Sequence, residues 1–152
     1  MRIPLPIESE RLVIRPLEIE DAAHLREPEE WIREKIERFE RDGGMSLWAA
    51  VDRESGRAVA MVGFQWEQID GQRELDIGCV VADHEQRRGY GTEASIAVLD
   101  AAFAAGFERV TALTKPDNAP ALRILEKLGF VRAGETDFEG RHYAFFTRTP
   151  AG

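Results

Sequence analysis

The chain has 152 residues, 43% of them hydrophobic, and a formal net charge of −8, enough for one domain that buries a single core without disulfides or metal. The acidic balance argues against a nucleic-acid binder, which needs a basic footprint to displace counterions, and mildly favours cationic small substrates. The lone cysteine Cys79 has no disulfide partner, the opening MRIPLPIESERL lacks a signal-peptide core, and no uncharged apolar window is long enough to span a bilayer, so a soluble cytoplasmic protein without a membrane partner is expected.

In chain order, RLVIRPL (Arg11–Leu17) alternates apolar and polar residues as a strand does. EIEDAAHLREP predicts a short helix broken at Pro28, and PEEWIREKIERF a second, with Trp31, Ile32, Ile36 and Phe39 near one face and glutamates in its first turn. RDGG ends it. SLWAAV and AVAMVGFQWEQ read as antiparallel strands, the Asp-Gly of IDGQ as a tight turn, and RELDIGCVV as the third strand of a meander. TEASIAVLDAAFAAG is a helix apolar nearly all round, which predicts cover on several sides, and Gly106 closes it. ERVTALT is a strand. DNAPALRILEKLGF is a helix that Asp117 or Asn118 can cap, with Pro120 in its first turn and Gly129 at its end. FVRAGETDF and RHYAFFTR close the chain as a hairpin. The result is one α/β (α+β) domain over residues 1–152, a mixed sheet of six or seven strands flanked by about four helices.

The stretch HEQRRGYGTEA sets two arginines and two glycines directly before a helix start. Unpaired first-turn amides and the helix dipole make such a junction an anion site. Gly89 and Gly91 let the backbone curl round an oxyanion, and Arg87 and Arg88 can add charge-assisted bonds to phosphate. GYGTEA also satisfies the dinucleotide fingerprint G-x-G-x-x-A. However, DHEQRR separates the glycines from the preceding strand, and the next strand ends in Thr114 and Lys115 rather than an acid, so a nicotinamide site is disfavoured.

The run Gln86-Arg87-Arg88-Gly89-Tyr90-Gly91 resembles the Q/R-x-x-G-x-G/A acyl-CoA signature of the GNAT N-acetyltransferases. DNAPALRILEKLGF resembles their second signature, and ESERLVIRPLEIEDA and GTEA are similar to the subgroup that acetylates ribosomal-protein N-termini. The resemblance spans about Ile7 to Arg148 and implies the GNAT fold, with acetyl-CoA as co-substrate, no metal, and a small-molecule or peptide amine as acceptor. It implies that pantetheine pairs with the main chain of Cys79, Val80 and Val81. Pyrophosphate would be held by the loop from Gln86 and Arg87 to Thr92, and Asn118 would either bond the CoA arm or cap its helix. The general base is implied on the strand before the loop, Asp76 first and Glu74 second; alternation puts both on one face, with Leu75, Ile77 and Cys79 on the other. Leu125 stands where many relatives carry a tyrosine, and Ala121 where some carry serine, so no general acid is assigned. A thiolate can leave without one.

Cys79 reads as a small core residue, and His24, His84 and His142 lack ligand spacing. Trp31, His142 and Tyr143 are outlying candidates for the acceptor side. Two classes of function remain: an N-acetyltransferase working through a sequential ternary complex, as monomer or homodimer, and a non-catalytic CoA-binding sensor or interaction module.

Overall fold

A computed structural model describes residues 1–150. The chain forms β1 (Ile7–Glu8), β2 (Leu12–Arg15), α1 (Asp21–Leu25), α2 (Glu29–Arg41), β3 (Leu47–Asp52), β4 (Ala58–Ile69) and β5 (Gln72–Val81). A 3-10 turn (Asp83–Glu85), α3 (Tyr90–Ala104), β6 (Val110–Thr114), α4 (Ala119–Lys127), β7 (Val131–Phe138) and β8 (Arg141–Arg148) follow. All eight strands join one sheet in the order β1-β2-β3-β4-β5-β6-β8-β7. The eight strands exceed the six or seven that the sequence pattern predicts, β1 having only two residues, too short a run for alternation to register.

The meander is set by local chemistry. Asp70 and Gly71 both have positive φ, 51° and 77°, which two-residue hairpin turns of matching twist require. That turn fixes the register from Ile69↔Gln72 to Ala60↔Val81 along the longest strand pair. Period two then separates two apolar layers. Val62, Phe64 and Leu75 meet Ala94, Val98 and Leu99 of α3 on one face. Met61, Ala49 and Leu47 meet Leu25 of α1 and Ile32 of α2 on the other. Trp48 is fully buried, stacks edge-on against Phe64 at 5.9 Å, and donates its indole N–H to the Gly44 carbonyl at 2.9 Å.

Helix α3 is covered on one side only, contrary to the expectation from its composition. Ala94, Val98, Leu99 and Ala102 are buried while Ile96 is 46% exposed. The alanines that make this helix look apolar throughout carry little surface, so leaving some in water costs little.

Candidate functional site

The sheet comes apart at its one parallel neighbour pair. Strands β5 and β6 share a single bridge, Asp76↔Thr111. Past it, Ile77–Val81 stay paired with β4 but have no partner on the β6 side, which leaves main-chain donors and acceptors on that edge open. The wedge is a cleft of about 320 Å³, floored by Ile77, Cys79 and Val81 and walled by α3 and by Ala121, Ile124 and Leu125 of α4. Gly91 lets α3 close on it: a Cβ there would stand 3.1 Å from Val81 Cγ2 and 3.7 Å from Cys79 Sγ.

At the mouth of the wedge the Arg-Gly loop turns into α3. Gly89 is the residue before the first turn, at φ 78°, and no side chain caps the helix there. Arg87 also has positive φ, 68°, an unusual conformation for a side-chain-bearing residue. Gln86, Arg87, Arg88 and Gly89 are exposed, Gly91 and Thr92 half-buried, and Tyr90 is buried. The Tyr90 hydroxyl turns inward to Asp52 Oδ1 at 3.4 Å, so this residue offers the loop surface only its main chain. The uncapped amides and the dipole give the junction the electrostatics of an anion site.

Asp76 and Glu74 project from the sheet face opposite the cleft, and the two differ sharply. Glu74 is buried and gives both oxygens to Arg109, at 3.1 and 2.7 Å. Asp76 accepts one hydrogen bond, from Thr111 Oγ1 at 2.8 Å, across the bridge where the strands part. Desolvation pushes its carboxyl up to about 7; the Thr111 bond pulls the other way, and the charges of Glu67 and Glu74 add to the rise. Glu67 itself is raised by burial and by Glu139 of the closing hairpin. An acid that titrates near neutrality where two strands part has the properties of a proton acceptor.

Cys79 is not a core residue. It is exposed along the cleft, its thiol 3.9 Å from the Gly91 carbonyl, while protein atoms crowding the sulfur raise its pKa and a Ser95 hydrogen bond partly opposes this. A raised thiol pKa opposes an acyl-cysteine role. Val80 projects from the other face and is 40% exposed. Asn118 serves as the cap of α4, accepting the Ala121 N–H at 3.3 Å. Asn118→Ala should therefore cost about 0.5–1 kcal/mol in a calorimetric or denaturant measurement of stability; an unchanged midpoint would remove the cap from the account. Of the outlying candidates, Trp31 carries the Lys35 ammonium 4.8 Å from its ring centroid. His142 is held between Asp137 and Glu135, at 2.7 Å each, and Tyr143 packs against Phe138.

Nothing in the sequence pattern singles out Thr111, Arg109 or Ser95. Thr111 sits in a predicted strand, and only the parallel register would have placed it beside Asp76. No signal along the chain marks that register. Among the described residues no helix is long and apolar enough to cross a membrane.

A family model described as an acetyltransferase (GNAT) domain matches residues 23–131. The uncharacterised protein YkkB of Bacillus subtilis is 34% identical over 105 residues, which cover 68% of this chain and 60% of YkkB, so the chain spans about three-fifths of that relative's length. Among solved structures, an acetyltransferase (GNAT family) from Bacillus anthracis superposes with a TM-score of 0.76 at 21% identity, covering 96% of this chain and 99% of that one. Mycobacterium smegmatis RimJ, solved with CoA-disulfide, gives a TM-score of 0.77 at 21% identity, covering 99% and 91% respectively. These two likenesses establish the fold. Taken with a family model that matches well over half of its residues, they mean that the chain belongs to the GNAT acetyltransferase family.

Proposed function

We propose that the protein transfers an acetyl group from acetyl-CoA to a primary amine, a peptide α-amine or a small-molecule amine, within a sequential ternary complex. The observation that carries this reading is the wedge: one face of the β5–β6 junction opens as a cleft ending at an uncapped helix start, and the other holds a carboxyl of pKa about 7. Pantetheine would lie in the cleft against the free edge at Cys79, Val80 and Val81. The diphosphate would sit on the amides from Gln86 to Thr92.

An ammonium has no lone pair, so the acceptor must lose a proton before it attacks. Asp76 takes that proton, directly or through water, and the nitrogen adds to the thioester carbon. Main-chain N–H groups stabilise the tetrahedral oxyanion, the C–S bond breaks, and the second proton that the nitrogen sheds as the amide forms passes through water to the departing CoA thiolate. A base near pKa 7 suits an α-amine, whose pKa is about 8. Glu74, engaged by Arg109, is the weaker candidate. Asn118 contributes by capping α4 beside the cleft.

A second reading, CoA binding without turnover, draws support from Ala121 and Leu125, which line the cleft without a hydroxyl to protonate the thiolate. Thermal unfolding with acetyl-CoA, CoA and NADH tests the binding. At roughly a hundred times its dissociation constant a ligand adds about 2.7 kcal/mol, so both CoA species should raise the midpoint and NADH should not. Thiol release with a panel of peptides and small amines then separates the readings: CoA binding with no amine turned over would favour the non-catalytic one.

A further inference from the structure

Arginines at 87 and 88 draw attention to the loop, yet their side chains do not shape it: both residues are exposed, and Arg88 reaches only Glu85, at 3.3 Å. The group that grips the loop comes from far away in the chain. Arg11, in the segment leading into β2, donates Nη1 to the Arg88 carbonyl at 2.8 Å and Nε to Glu93 Oε1 at 2.7 Å. Its main-chain N–H and the Ser9 hydroxyl both donate to Glu93 Oε2, at 2.8 and 2.6 Å. The guanidinium lies 4.4 Å from the centroid of the Tyr90 ring, and a Cβ on Gly89 would stand 3.4 Å from Arg11 Nη2.

Two physical consequences follow. A trans peptide points its C=O and N–H in opposite directions. Tying the Arg88 carbonyl to Arg11 therefore turns the Gly89 amide the other way, away from Arg11. Glu93 is also a carboxylate in the first turn of α3, where it suits the helix dipole but repels an incoming anion. Burial alone would raise its pKa, but the hydrogen bonds from Ser9 and Arg11 outweigh this and hold it below the ordinary carboxylate range. Glu93 is thus ionised, and Arg11 supplies the opposing charge.

We propose that Arg11 is the positioning residue of the anion loop, fixing the Arg88–Gly89 peptide and cancelling the charge of Glu93 so that a diphosphate meets only amides. This rests on the reading of the loop as the diphosphate site of CoA.

Calorimetric titration of the full chain with CoA and with pantetheine, which lacks the diphosphate, tests it. R11A should weaken CoA binding by about tenfold to a hundredfold, as loss of a charged hydrogen bond does, and change pantetheine binding less than twofold. R11K should recover little, since one ammonium cannot span the carboxylate and the carbonyl together as the guanidinium fork does. R11A/E93Q should bind CoA at least about threefold more tightly than R11A, because the uncancelled charge is gone. Should R11A fold poorly, R11K and R11A/E93Q carry the comparison. CoA affinity unchanged in R11K and R11A/E93Q, or equal losses for CoA and pantetheine, overturns the proposal. Wild-type protein that binds no CoA overturns the loop reading as well.

Discussion

Replacing Asp76 by Asn is expected to lower kcat for acetyl transfer by about two to four orders of magnitude while CoA affinity stays the same. Asn keeps the shape and a hydrogen bond to Thr111 but cannot take a proton. In the wild type, kcat/KM should rise with pH through about 7, as the Asp76 carboxyl ionises. That limb should vanish in the variant. Glu74→Gln, at a side chain occupied by Arg109, should retain the limb; a limb lost in E74Q and kept in D76N would reverse the assignment. The same substitution should act oppositely on stability. A folded pKa of about 7 against an ordinary 3.8 means that between those values the native state holds a proton that the unfolded chain has lost. Stability then falls as pH rises through that window, by up to about 1.4 kcal/mol per unit. D76N should therefore melt above the wild type at pH 8, with the gap closing below pH 4. Equal melting at both ends would show that the carboxyl is not strained by its burial.

The largest structural effect should come from Gly63→Ala. A Cβ at that position collides with the Ser46 carbonyl oxygen and lies 3.2 Å from Leu47 Cα, both main-chain atoms. The same carbonyl accepts the Phe64 N–H at 3.1 Å, and Ser46 is fully buried, so β3 must move for the methyl to fit. A loss of at least about 3 kcal/mol is expected by denaturant titration. Gly56→Ala is the control: its φ of 72° is strained for alanine, but nothing lies within 4 Å, so about 1 kcal/mol should be lost there. Comparable losses at both sites would mean that β3 yields easily.

What the sequence discloses here is what neighbouring residues decide. Asp70-Gly71 sets a hairpin and thereby the pairing of Asp76 with Gln65. Gly89 and Gly91 announce the loop that turns into α3, and Pro120 with Asn118 announces α4. Contacts between distant segments leave no such mark. Arg11 and Glu93 are 82 positions apart, and Asp76 and Thr111 are 35 apart. Charge patterning cannot tell that Glu74 has an ionic partner in Arg109 while Asp76 has only the Thr111 hydroxyl. Yet that distinction, created when β6 lies down beside β5, separates a structural carboxylate from a candidate base. Cys79 departs from the core position its apolar neighbours suggest for a related reason: the edge it occupies is where the sheet splits.

The lone rung between Asp76 and Thr111 leaves the sheet as two fabrics held by one stitch. Five strands lie on one side and three on the other, each set fastened by its own antiparallel pairing. A thread-like co-substrate laid in the gap would be a splint, its amides supplying rungs that the protein omits. Part of the free energy of holding it would then be expressed as cohesion between the halves, tightening the frame around Asp76 when the thioester is in place. Release of the spent thiol would undo the seam, so that each catalytic cycle would also be a cycle of mending and parting in the sheet.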